Sequence, residues 1–215
     1  MQRRTAIVIL AAGGSRRLGQ PKQLLPVLGE PLLRRVVKMA AEVRPDHLIV
    51  VLGSSAGECV PVIKDCDADI VVNPFWESGL AGSIRIGVER AEEEKADSVL
   101  LLLADQPWLS SEVIQRFLDR MRGQTDLIIS ARYNGILGAP MMFGSDWFPR
   151  LKNLEGDQGA RSLVAKEGGQ VEVIDWSEGA LDLDTPEDLA SLMTGLESMH
   201  RSLTLSGKSE LGDDW

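Results

Sequence analysis

Short apolar runs alternate with longer amphipathic stretches along most of the chain. The first run, residues 6–10, contains only apolar residues and includes β-branched Ile7, Val8 and Ile9, a composition typical of a strand buried on both faces of a parallel sheet. Later runs have the same apolar character. The predicted strands cover residues 6–10, 47–52, 70–72, 98–104, 126–131 and 170–175.

Amphipathic stretches with the helical period fill most of the intervals between these runs. Ser110 and Ser111 stand at the start of one of them, where a hydroxyl can cap a helix. Strands separated by helices predict βαβ crossovers, and therefore a three-layer α/β/α, Rossmann-like fold with a mostly parallel sheet. The predicted helices cover residues 31–43, 54–66, 82–94, 110–122, 147–154, 159–167 and 185–199.

The pair Asn134-Gly135 interrupts this alternation. It separates two apolar segments, 126–133 and 136–143, and Asn-Gly in such a place is a strong signal for a tight turn between antiparallel strands. We therefore expect a small antiparallel β excursion at this point of the α/β fold.

The composition limits the number of domains and the classes of function. A chain of 215 residues with 44% hydrophobic content suits one α/β domain, predicted over residues 1–200 and followed by a mobile tail over 201–215. A net charge of −9 argues against a general nucleic-acid binder, which carries a basic surface. No run approaches the roughly 18–20 apolar residues that a membrane span requires, and the first run lacks a signal-peptide cleavage segment.

The few cysteines and histidines favour a reducing compartment and exclude a His-rich zinc site. On one helix, Cys59 and Cys66 would stand roughly 10 Å apart, beyond disulfide reach, so reduced thiols and a cytoplasmic location are expected. The chain has two histidines and no Cys-x-x-Cys motif, so zinc is not expected.

A glycine-rich segment with several cations follows the first predicted strand. Gly13, Gly14 and Gly19 leave no side chain between their backbone amides and an approaching oxyanion, and Arg17 and Lys22 add positive charge. This order of strand, glycine turn and cations is suited to holding a polyphosphate. The alternative is a strand-to-helix turn whose basic residues only face water.

Two well-known phosphate-binding motifs do not match this segment. Gly14 and Gly19 have the spacing of a Walker loop, but Gln20 and Pro21 follow where that motif requires Lys and then Ser or Thr. The dinucleotide fingerprint G-x-G-x-x-G is absent, because Gly13 and Gly14 are adjacent. A Walker-type NTPase and a dinucleotide-dependent oxidoreductase are therefore disfavoured.

Two acidic sites accompany the glycine loop. Asp105 directly follows the strand 98–104, at the position where open α/β sheets bind their ligands. Asp184 stands just before Thr185, the predicted N-cap of a helix. Because Mg²⁺ prefers carboxylates, water and phosphate oxygens, one or two aspartates and a bound nucleotide would complete a magnesium site. Taken alone, each aspartate is also compatible with a solvated turn or a backbone cap.

The signature of a known family lies within residues 10–22. Their pattern, Leu-Ala-Ala-Gly-x-Ser-x-Arg-x-Gly-x-Pro-Lys, resembles that of the MobA-like NTP transferases, which couple an NTP to a phosphorylated acceptor. It is most similar to the branch containing molybdenum cofactor cytidylyltransferase, and the resemblance extends from residue 6 to about residue 193. It implies a GT-A-like nucleotidyltransferase fold with Mg²⁺ as cofactor. It further implies Asp105 and Asp184 as metal ligands, and Arg17, Lys22 and Asp105 as catalytic residues.

A loop over residues 73–83 carries a further match. In the family, an equivalent Gly-x-x-x-Ser segment borders the base and the ribose, and here it is formed by Gly79 and Ser83. Without the resemblance, the same residues are only a loop and the start of a helix. The nucleotide-binding residues that the resemblance implies are Leu10, Ala11, Ala12, Gly13, Gly14, Ser15, Arg17, Lys22, Asn73, Gly79, Leu80 and Ser83.

Two segments resemble the acceptor end of the family. Gly138-Ala139-Pro140 stands where the branch commonly has His or Asn in the middle, so a polar side chain expected near the acceptor is missing. Residues 156–161 match the family's Gly-Asp-x-Gly-Ala-Arg segment, and Arg161 suits a second anion site, or else is a helix-surface cation. Gly138, Pro140 and Arg161 are the implied acceptor residues.

The resemblance implies Mg²⁺-dependent transfer of a nucleotidyl group with release of pyrophosphate. Ala12 is more typical of the cytidylyl branch than of the guanylyl branch, so CTP is the expected NTP and molybdopterin the expected acceptor. A sugar phosphate or methylerythritol phosphate acceptor stays open, as does a nucleotide-binding regulatory protein without turnover. We expect no nucleic-acid or membrane partner, and transient contact with molybdoenzyme maturation proteins.

Overall fold

Strands recur through the part of the chain that the structure describes. The computed structural model describes residues 3–15, 18–167 and 171–181, together with residues 183, 187, 188, 190 and 194. Each predicted strand is present, some with shifted ends. The strands are β1 (Thr5–Ala11), β2 (Pro26–Val27), β3 (Glu30–Pro31), β4 (His47–Leu52), β5 (Asp69–Val72), β6 (Ser98–Leu103), β7 (Ile128–Tyr133), β8 (Ile136–Gly144) and β9 (Val171–Asp175).

One mixed sheet contains β1 and β4 to β9, in the order β5-β4-β1-β6-β8-β7-β9. β1 lies between β4 and β6 and is parallel to both, so that Ala6 pairs with His47 on one side and Val99 on the other. β8 is antiparallel to its two neighbours, whereas the other pairings of this sheet are parallel. The mostly parallel sheet that the alternating pattern predicts is confirmed.

The β7–β8 hairpin turns at the predicted Asn-Gly pair. Asn134 and Gly135 have φ angles of 49° and 74°, the left-handed values that a tight Asn-Gly turn adopts. The strand beyond the turn, β8, lies inside the main sheet between β6 and β7. The antiparallel element therefore helps to build the sheet that carries the site.

A second, two-stranded sheet is formed by β2 and β3, which are antiparallel. Leu28 and Gly29 connect them with φ angles of 51° and 84°. The hydrophobic pattern does not predict this sheet, because strands of two residues are too short to show an alternation.

Helices cover both faces of the main sheet. Helix α4 begins after Ser110, whose Oγ accepts a hydrogen bond from the Val113 amide at 3.4 Å, as a capping serine does. The predicted helix 185–199 and the predicted tail 201–215 lie outside the described residues, except for 187, 188, 190 and 194. Among the helices that the structure describes, none is long and apolar enough to cross a membrane. The helices are α1 (Leu32–Glu42), α2 (Ala56–Ile63), α3 (Leu80–Glu93), α4 (Ser111–Met121), α5 (Phe148–Lys152) and α6 (Arg161–Glu167).

The apolar side chains of β1 alternate between two separate cores. Ile7 and Ile9 pack on the face covered by α1, α2 and α4, whereas Val8 and Leu10 pack on the face covered by α3, α5 and α6. Three of these side chains have no solvent exposure and Leu10 has 7%. The structure confirms the three-layer α/β/α arrangement, and its two cores hold the central strands rigidly.

The parallel strands β1, β4, β5 and β6 bring their carboxyl ends to one edge of the sheet. The loops that follow these strands are anchored by two buried layers and meet above that edge. In open α/β sheets this is the place where ligands bind.

Candidate active site

A cleft of about 400 Å³ opens at the carboxyl edge of the sheet, between the loops that follow β1, β5 and β6. It gathers most of the residues predicted to bind the nucleotide, although they come from three separate segments. The predicted residues that line it are Leu10, Ala11, Ala12, Gly13, Gly14, Lys22, Gly79, Leu80, Ser83 and Asp105. Arg17 and Asp184 lie outside the described residues.

Lys22 and Asp105 form an ion pair within this cleft. Lys22 Nζ lies 2.5 Å from Asp105 Oδ2, and each side chain is 16% exposed. Lys22 begins a short 3₁₀ helix, Lys22–Leu24, and its backbone amide donates a hydrogen bond to Ser15 Oγ at 2.9 Å. The loop after β1 and the loop after β6 are thus joined by a largely buried contact between opposite charges.

The second carboxylate oxygen of Asp105 is available to a cation. Asp105 Oδ1 is buried and has no hydrogen-bond partner among the described residues. A buried carboxylate oxygen without a partner is costly, and Mg²⁺ and similar hard cations bind such oxygens. The described residues contain no group of three or more Asp, Glu, His or Cys side chains that could hold a metal, so Asp105 would need ligands from elsewhere, such as phosphate oxygens.

The acidic segment near the carboxyl end of the chain reaches Asp105 through the backbone. The Leu183 amide donates a hydrogen bond to the Asp105 carbonyl oxygen at 3.1 Å. Leu183 immediately precedes Asp184 in the sequence. The two segments predicted to supply metal ligands are therefore in contact at Asp105 and Leu183.

Gln23 is a site residue that the sequence analysis missed. Its side chain is 1% exposed, and Nε2 donates hydrogen bonds to the carbonyl oxygens of Ala11 and Gly13, each at 2.9 Å. In the sequence, the feature that could have indicated this role is the position of Gln23, a polar residue directly before the apolar pair Leu24-Leu25. Gln23 holds the glycine loop from behind.

Trp76 is a second missed residue, and it covers part of the glycine loop. A Cβ atom at Gly14 would lie 2.8 Å from the Trp76 ring, and one at Gly53 would lie 2.8 Å from Trp76 Cβ. At Gly14 the indole ring packs directly on the backbone, whereas at Gly53 the nearest atom is the Ala12 carbonyl oxygen, 2.5 Å from such a Cβ atom. Trp76 and the neighbouring Glu77 line the cleft together.

Asn73 and Ser15 support the cleft without lining it. Asn73 is 1% exposed, and its Nδ2 donates a hydrogen bond to Ser83 Oγ at 3.0 Å, which orients the serine that does line the cleft. Asn73 Oδ1 accepts a hydrogen bond from the Phe75 amide at 2.9 Å. Ser15 has a φ angle of 48° and accepts the hydrogen bond from Lys22 described above.

A second cavity, of about 560 Å³, adjoins the cleft on the α3 side of the sheet. Among the predicted acceptor residues, Gly138 and Arg161 line this cavity, whereas Pro140 is buried and does not. The cleft and the cavity share four lining residues and therefore form one continuous depression. The shared residues are Leu10, Leu80, Leu103 and Asp157. The polar residues that line the second cavity are Asp157, Gln158, Arg161 and Ser162, and its other lining residues are apolar or small.

Gly79 lines the cleft and lies against the backbone of Gly156. It has a φ angle of 111°, and a Cβ atom there would lie 2.2 Å from the Gly156 carbonyl oxygen. The same carbonyl accepts a hydrogen bond from the Ala81 amide at 3.1 Å, in the first turn of α3. Only glycine fits this close approach of two backbones.

The main comparisons with known proteins agree with this geometry. Residues 7–171 match the family model described as the MobA-like NTP transferase domain. The chain is 34% identical over 196 residues to the purine catabolism protein PucB of Bacillus subtilis (strain 168), covering 84% of this chain and 92% of PucB. The structure is similar to that of Rv0371c from Mycobacterium tuberculosis H37Rv, with a TM-score of 0.77, 32% identity, and 89% and 98% of the two chains covered.

A manganese complex of Rv0371c is similar as well, with a TM-score of 0.74, 30% identity, and 88% and 97% of the two chains covered. The family match spans most of the sequence and includes most of β1, the glycine loop and Asp105. The resemblance that residues 10–22 indicate is thus confirmed: this chain belongs to the MobA-like NTP transferases, a family of nucleotidyltransferases.

Proposed function

We propose that this protein transfers a nucleotidyl group from an NTP, preferentially CTP, to the phosphate of a small acceptor, with molybdopterin the favoured acceptor. Pyrophosphate would be the second product. A divalent metal, Mg²⁺ in the cell, would be required. The glycine-loop cleft would hold the NTP, and the adjoining cavity lined by Gly138 and Arg161 would hold the acceptor.

One observation carries this proposal: Asp105 has one carboxylate oxygen on the Lys22 ammonium and the other buried without a partner among the described residues. An aspartate with an ordinary structural role would have both oxygens satisfied. A cation bound at Oδ1 and phosphates lying against Lys22 would satisfy this carboxylate and complete the charge balance of the cleft. Asp184 and Arg17 are proposed to join the site as a second metal ligand and a second phosphate-binding cation.

The chemistry needs few groups from the protein. An oxygen of the acceptor phosphate attacks the α-phosphorus of the NTP, and the bond from that phosphorus to the bridging oxygen breaks. Pyrophosphate leaves with the electrons of that bond. Because the acceptor phosphate is already ionised at neutral pH, no general base is required. Positioning then supplies much of the rate enhancement, in favourable cases about 7–11 kcal/mol of the barrier.

The residues of the chain would divide this task between them. Lys22 would neutralise charge on the phosphates, and the amide of Gly14 would donate to a phosphate oxygen. Asp105, with Asp184, would hold the metal, which when bound supplies positive charge that polarises the phosphoryl oxygens. The similarity to Rv0371c, a protein with a known manganese complex, supports the use of a divalent metal by this chain.

The proposed base and acceptor rest on observations separate from those that support the reaction. Ala12 supports CTP, and the apolar second cavity of about 560 Å³ supports a planar acceptor such as a pterin over a polyhydroxylated sugar. The small Ala139, in place of a polar residue, stands against a hydrogen bond to the acceptor at that point. PucB, to which the chain is similar, is a purine catabolism protein by name, and purines are fused heterocycles as pterins are.

The proposed setting is cytoplasmic, with NTP and acceptor as the main partners. Cys59 and Cys66 are both free thiols, a state that suits a reducing compartment. Transient contact with proteins that mature molybdoenzymes would deliver the product.

The proposal is tested by measuring pyrophosphate release with Mg²⁺, each of the four NTPs and a panel of acceptors. The panel contains molybdopterin, a hexose 1-phosphate and methylerythritol phosphate. We expect release that depends on the acceptor and is fastest with CTP and molybdopterin. Release with another acceptor would keep the reaction and replace the acceptor. Tight nucleotide binding without release from any combination would favour a regulatory protein and overturn the proposal.

A further inference from the structure

Gln23 occupies an unusual place for a glutamine. It lies in the short 3₁₀ helix that begins with Lys22 and is 1% exposed, yet it contacts the backbone of the glycine loop rather than another side chain of the core. Its Nε2 donates to the carbonyl oxygens of Ala11 and Gly13, each at 2.9 Å. Its Oε1 accepts a hydrogen bond from Ser15 Oγ at 3.4 Å. A single amide therefore contacts the loop at three points.

The carbonyl of Gly13 is held from two sides. In addition to Gln23, Ser54 Oγ donates to it at 3.3 Å, and the Ser54 amide donates to the preceding carbonyl, that of Ala12, at 3.2 Å. The carbonyl oxygens of the loop are thus directed toward the body of the protein. An oxygen directed toward the cleft would instead repel a phosphate.

The direction of the Gly13 carbonyl determines the direction of the Gly14 amide. The peptide bond between them is planar and trans, so the N–H points opposite to the carbonyl. Because Gln23 and Ser54 hold the carbonyl of Gly13, the N–H of Gly14 points away from both. Gly14 lines the cleft, and its amide has no hydrogen-bond partner among the described residues.

We infer that Gln23 is a positioning residue that aims the Gly14 amide at a phosphate oxygen of the bound NTP. This inference rests on the proposed function, since it takes the ligand of the cleft to be a polyphosphate. Gln23 itself does not touch the ligand. It prevents the peptide between Gly13 and Gly14 from rotating, a motion that two adjacent glycines would otherwise permit easily. It also places Lys22, its neighbour in the sequence, on the same rigid turn.

Ligand affinities distinguish a residue that orients the Gly14 amide from one that only stabilises the fold. If the Gly14 amide is no longer oriented, the affinity for every ligand with a polyphosphate should fall. The affinity for a nucleoside without phosphate should stay unchanged. Since this hydrogen bond is made in the ground state as well as in the transition state, KM should change more than kcat. Loss of a purely structural contact would lower the stability of the protein and would weaken the binding of nucleoside and triphosphate alike.

The experiment compares Gln23→Met, which keeps the length of the side chain but has no N–H donor, with wild-type protein. The matched control is Gln115→Met on the exposed face of α4, where Gln115 Nε2 donates a hydrogen bond to Asp119 at 2.8 Å. Binding of inorganic pyrophosphate, CTP and cytidine is measured by calorimetry, and KM and kcat for the NTP by pyrophosphate release. Ser54→Ala, at an exposed position, removes the longer of the two bonds to the Gly13 carbonyl.

We expect Gln23→Met to lower the affinities for pyrophosphate and CTP by about ten- to hundredfold, because one hydrogen bond to a charged group contributes about that much. The value of kcat should change by less than about threefold. Cytidine affinity should stay the same, and Ser54→Ala should show a smaller change in the same direction. Unchanged pyrophosphate affinity in Gln23→Met, or an equal loss for cytidine, would overturn the inference. If Gln23→Met does not fold, the affinities of Ser54→Ala for pyrophosphate, CTP and cytidine test the inference instead.

Pyrophosphate binding separates this inference from the proposed function. The proposed reaction would be contradicted if wild-type protein bound pyrophosphate but formed none from any combination of NTP and acceptor. The comparison of pyrophosphate affinities would then still decide whether Gln23 aims the Gly14 amide. Normal turnover in wild type, together with an unchanged KM for the NTP and an unchanged pyrophosphate affinity in Gln23→Met, would contradict only the role of Gln23.

Discussion

The Lys22 ammonium and the Asp105 carboxylate meet through one carboxylate oxygen only. Lys22 Nζ lies 2.5 Å from Oδ2, while Oδ1 is buried and has no hydrogen-bond partner among the described residues. This asymmetry gives Asp105 two different neighbours on its two oxygens, an ammonium and a position suited to a metal. Lys22 and a bound cation would then share one carboxylate and repel each other.

Replacing Lys22 by methionine should therefore strengthen metal binding while it weakens catalysis. The cation would no longer face a second positive charge, so the Mn²⁺ concentration at half-maximal thermal stabilisation should fall by about fivefold or more. Turnover should fall in the same variant, because the phosphates lose their ammonium partner. Thermal melts over a Mn²⁺ titration, combined with pyrophosphate release, measure both effects.

The control for this experiment is Lys38→Met. Lys38 forms an ion pair with Glu30 at the same distance, 2.5 Å, but on the exposed surface of α1. Its loss should leave the metal titration unchanged. If Lys22→Met responded to Mn²⁺ less than wild type, Asp105 would not be the position that binds the cation.

Replacing Gly79 by alanine should destabilise the protein by about 1–3 kcal/mol, because residue 79 has backbone angles that only glycine adopts easily. Its φ angle is 111°, and the new methyl group would lie 2.2 Å from the Gly156 carbonyl oxygen. The same collision should raise KM for the NTP, since Gly79 and Leu80 line the cleft. Urea unfolding and steady-state kinetics measure the two changes.

Gly57→Ala provides the matched control. Gly57 lies in α2, and a Cβ atom there would contact nothing within 4 Å. This variant should be equally or more stable than wild type, by up to about 1 kcal/mol, because alanine favours helix. A Gly79→Ala protein as stable as Gly57→Ala would show that the contact with Gly156 does not constrain the loop.

Cys59 should make the stability depend on pH in the alkaline range. Burial, and secondly the charge of Glu58, raises the pKa of the Cys59 thiol to about 11 from an ordinary value of 9.0. The folded state therefore retains this proton more strongly than the unfolded state. The stabilisation is complete below about pH 9 and is lost as the pH rises toward 11.

The measurement is the free energy of unfolding in urea at about pH 8 and about pH 10.5, for wild type and Cys59→Ala. Wild type should lose about 2 kcal/mol more than the variant between these two values, since each pKa unit corresponds to about 1.36 kcal/mol. An equal loss in both proteins would show that the Cys59 thiol has an ordinary pKa.

Most of the fold follows from patterns that extend over several residues. The apolar run around Ile7 and Ile9 and the Asn134-Gly135 turn are local signals, and the structure has a strand and a tight turn at these places. The sheet formed by β2 and β3 could not be predicted, because two residues carry no period. The position of β8 between β6 and β7 depends on contacts between distant segments, which no local pattern records.

The site follows the same division. Gly13, Lys22 and Asp105 stand directly beside predicted elements, and they line one cleft in the structure. Gln23 was missed because its role is to bind backbone carbonyls, which any sequence contains. Asn73 is predicted to contact the nucleotide, and in the structure its Nδ2 donates a hydrogen bond to Ser83 Oγ, which lines the cleft. Residue types indicate chemistry, but the direction of a side chain depends on the folded backbone.

The role of Asp105 is the central claim, and Asp105→Asn tests it most directly. The variant keeps the size of the side chain and removes the charge that would hold both Lys22 and the metal. Its control is Asp119→Asn, an exposed position on α4 whose carboxylate accepts a hydrogen bond from Gln115. Both are measured by pyrophosphate release from CTP with the best acceptor, at saturating Mg²⁺, with melting temperatures recorded in parallel. We predict at least about a hundredfold loss of kcat for a folded Asp105→Asn protein, since metal-assisted charge stabilisation is worth several kcal/mol, and no loss for Asp119→Asn. Full activity in Asp105→Asn would contradict the account.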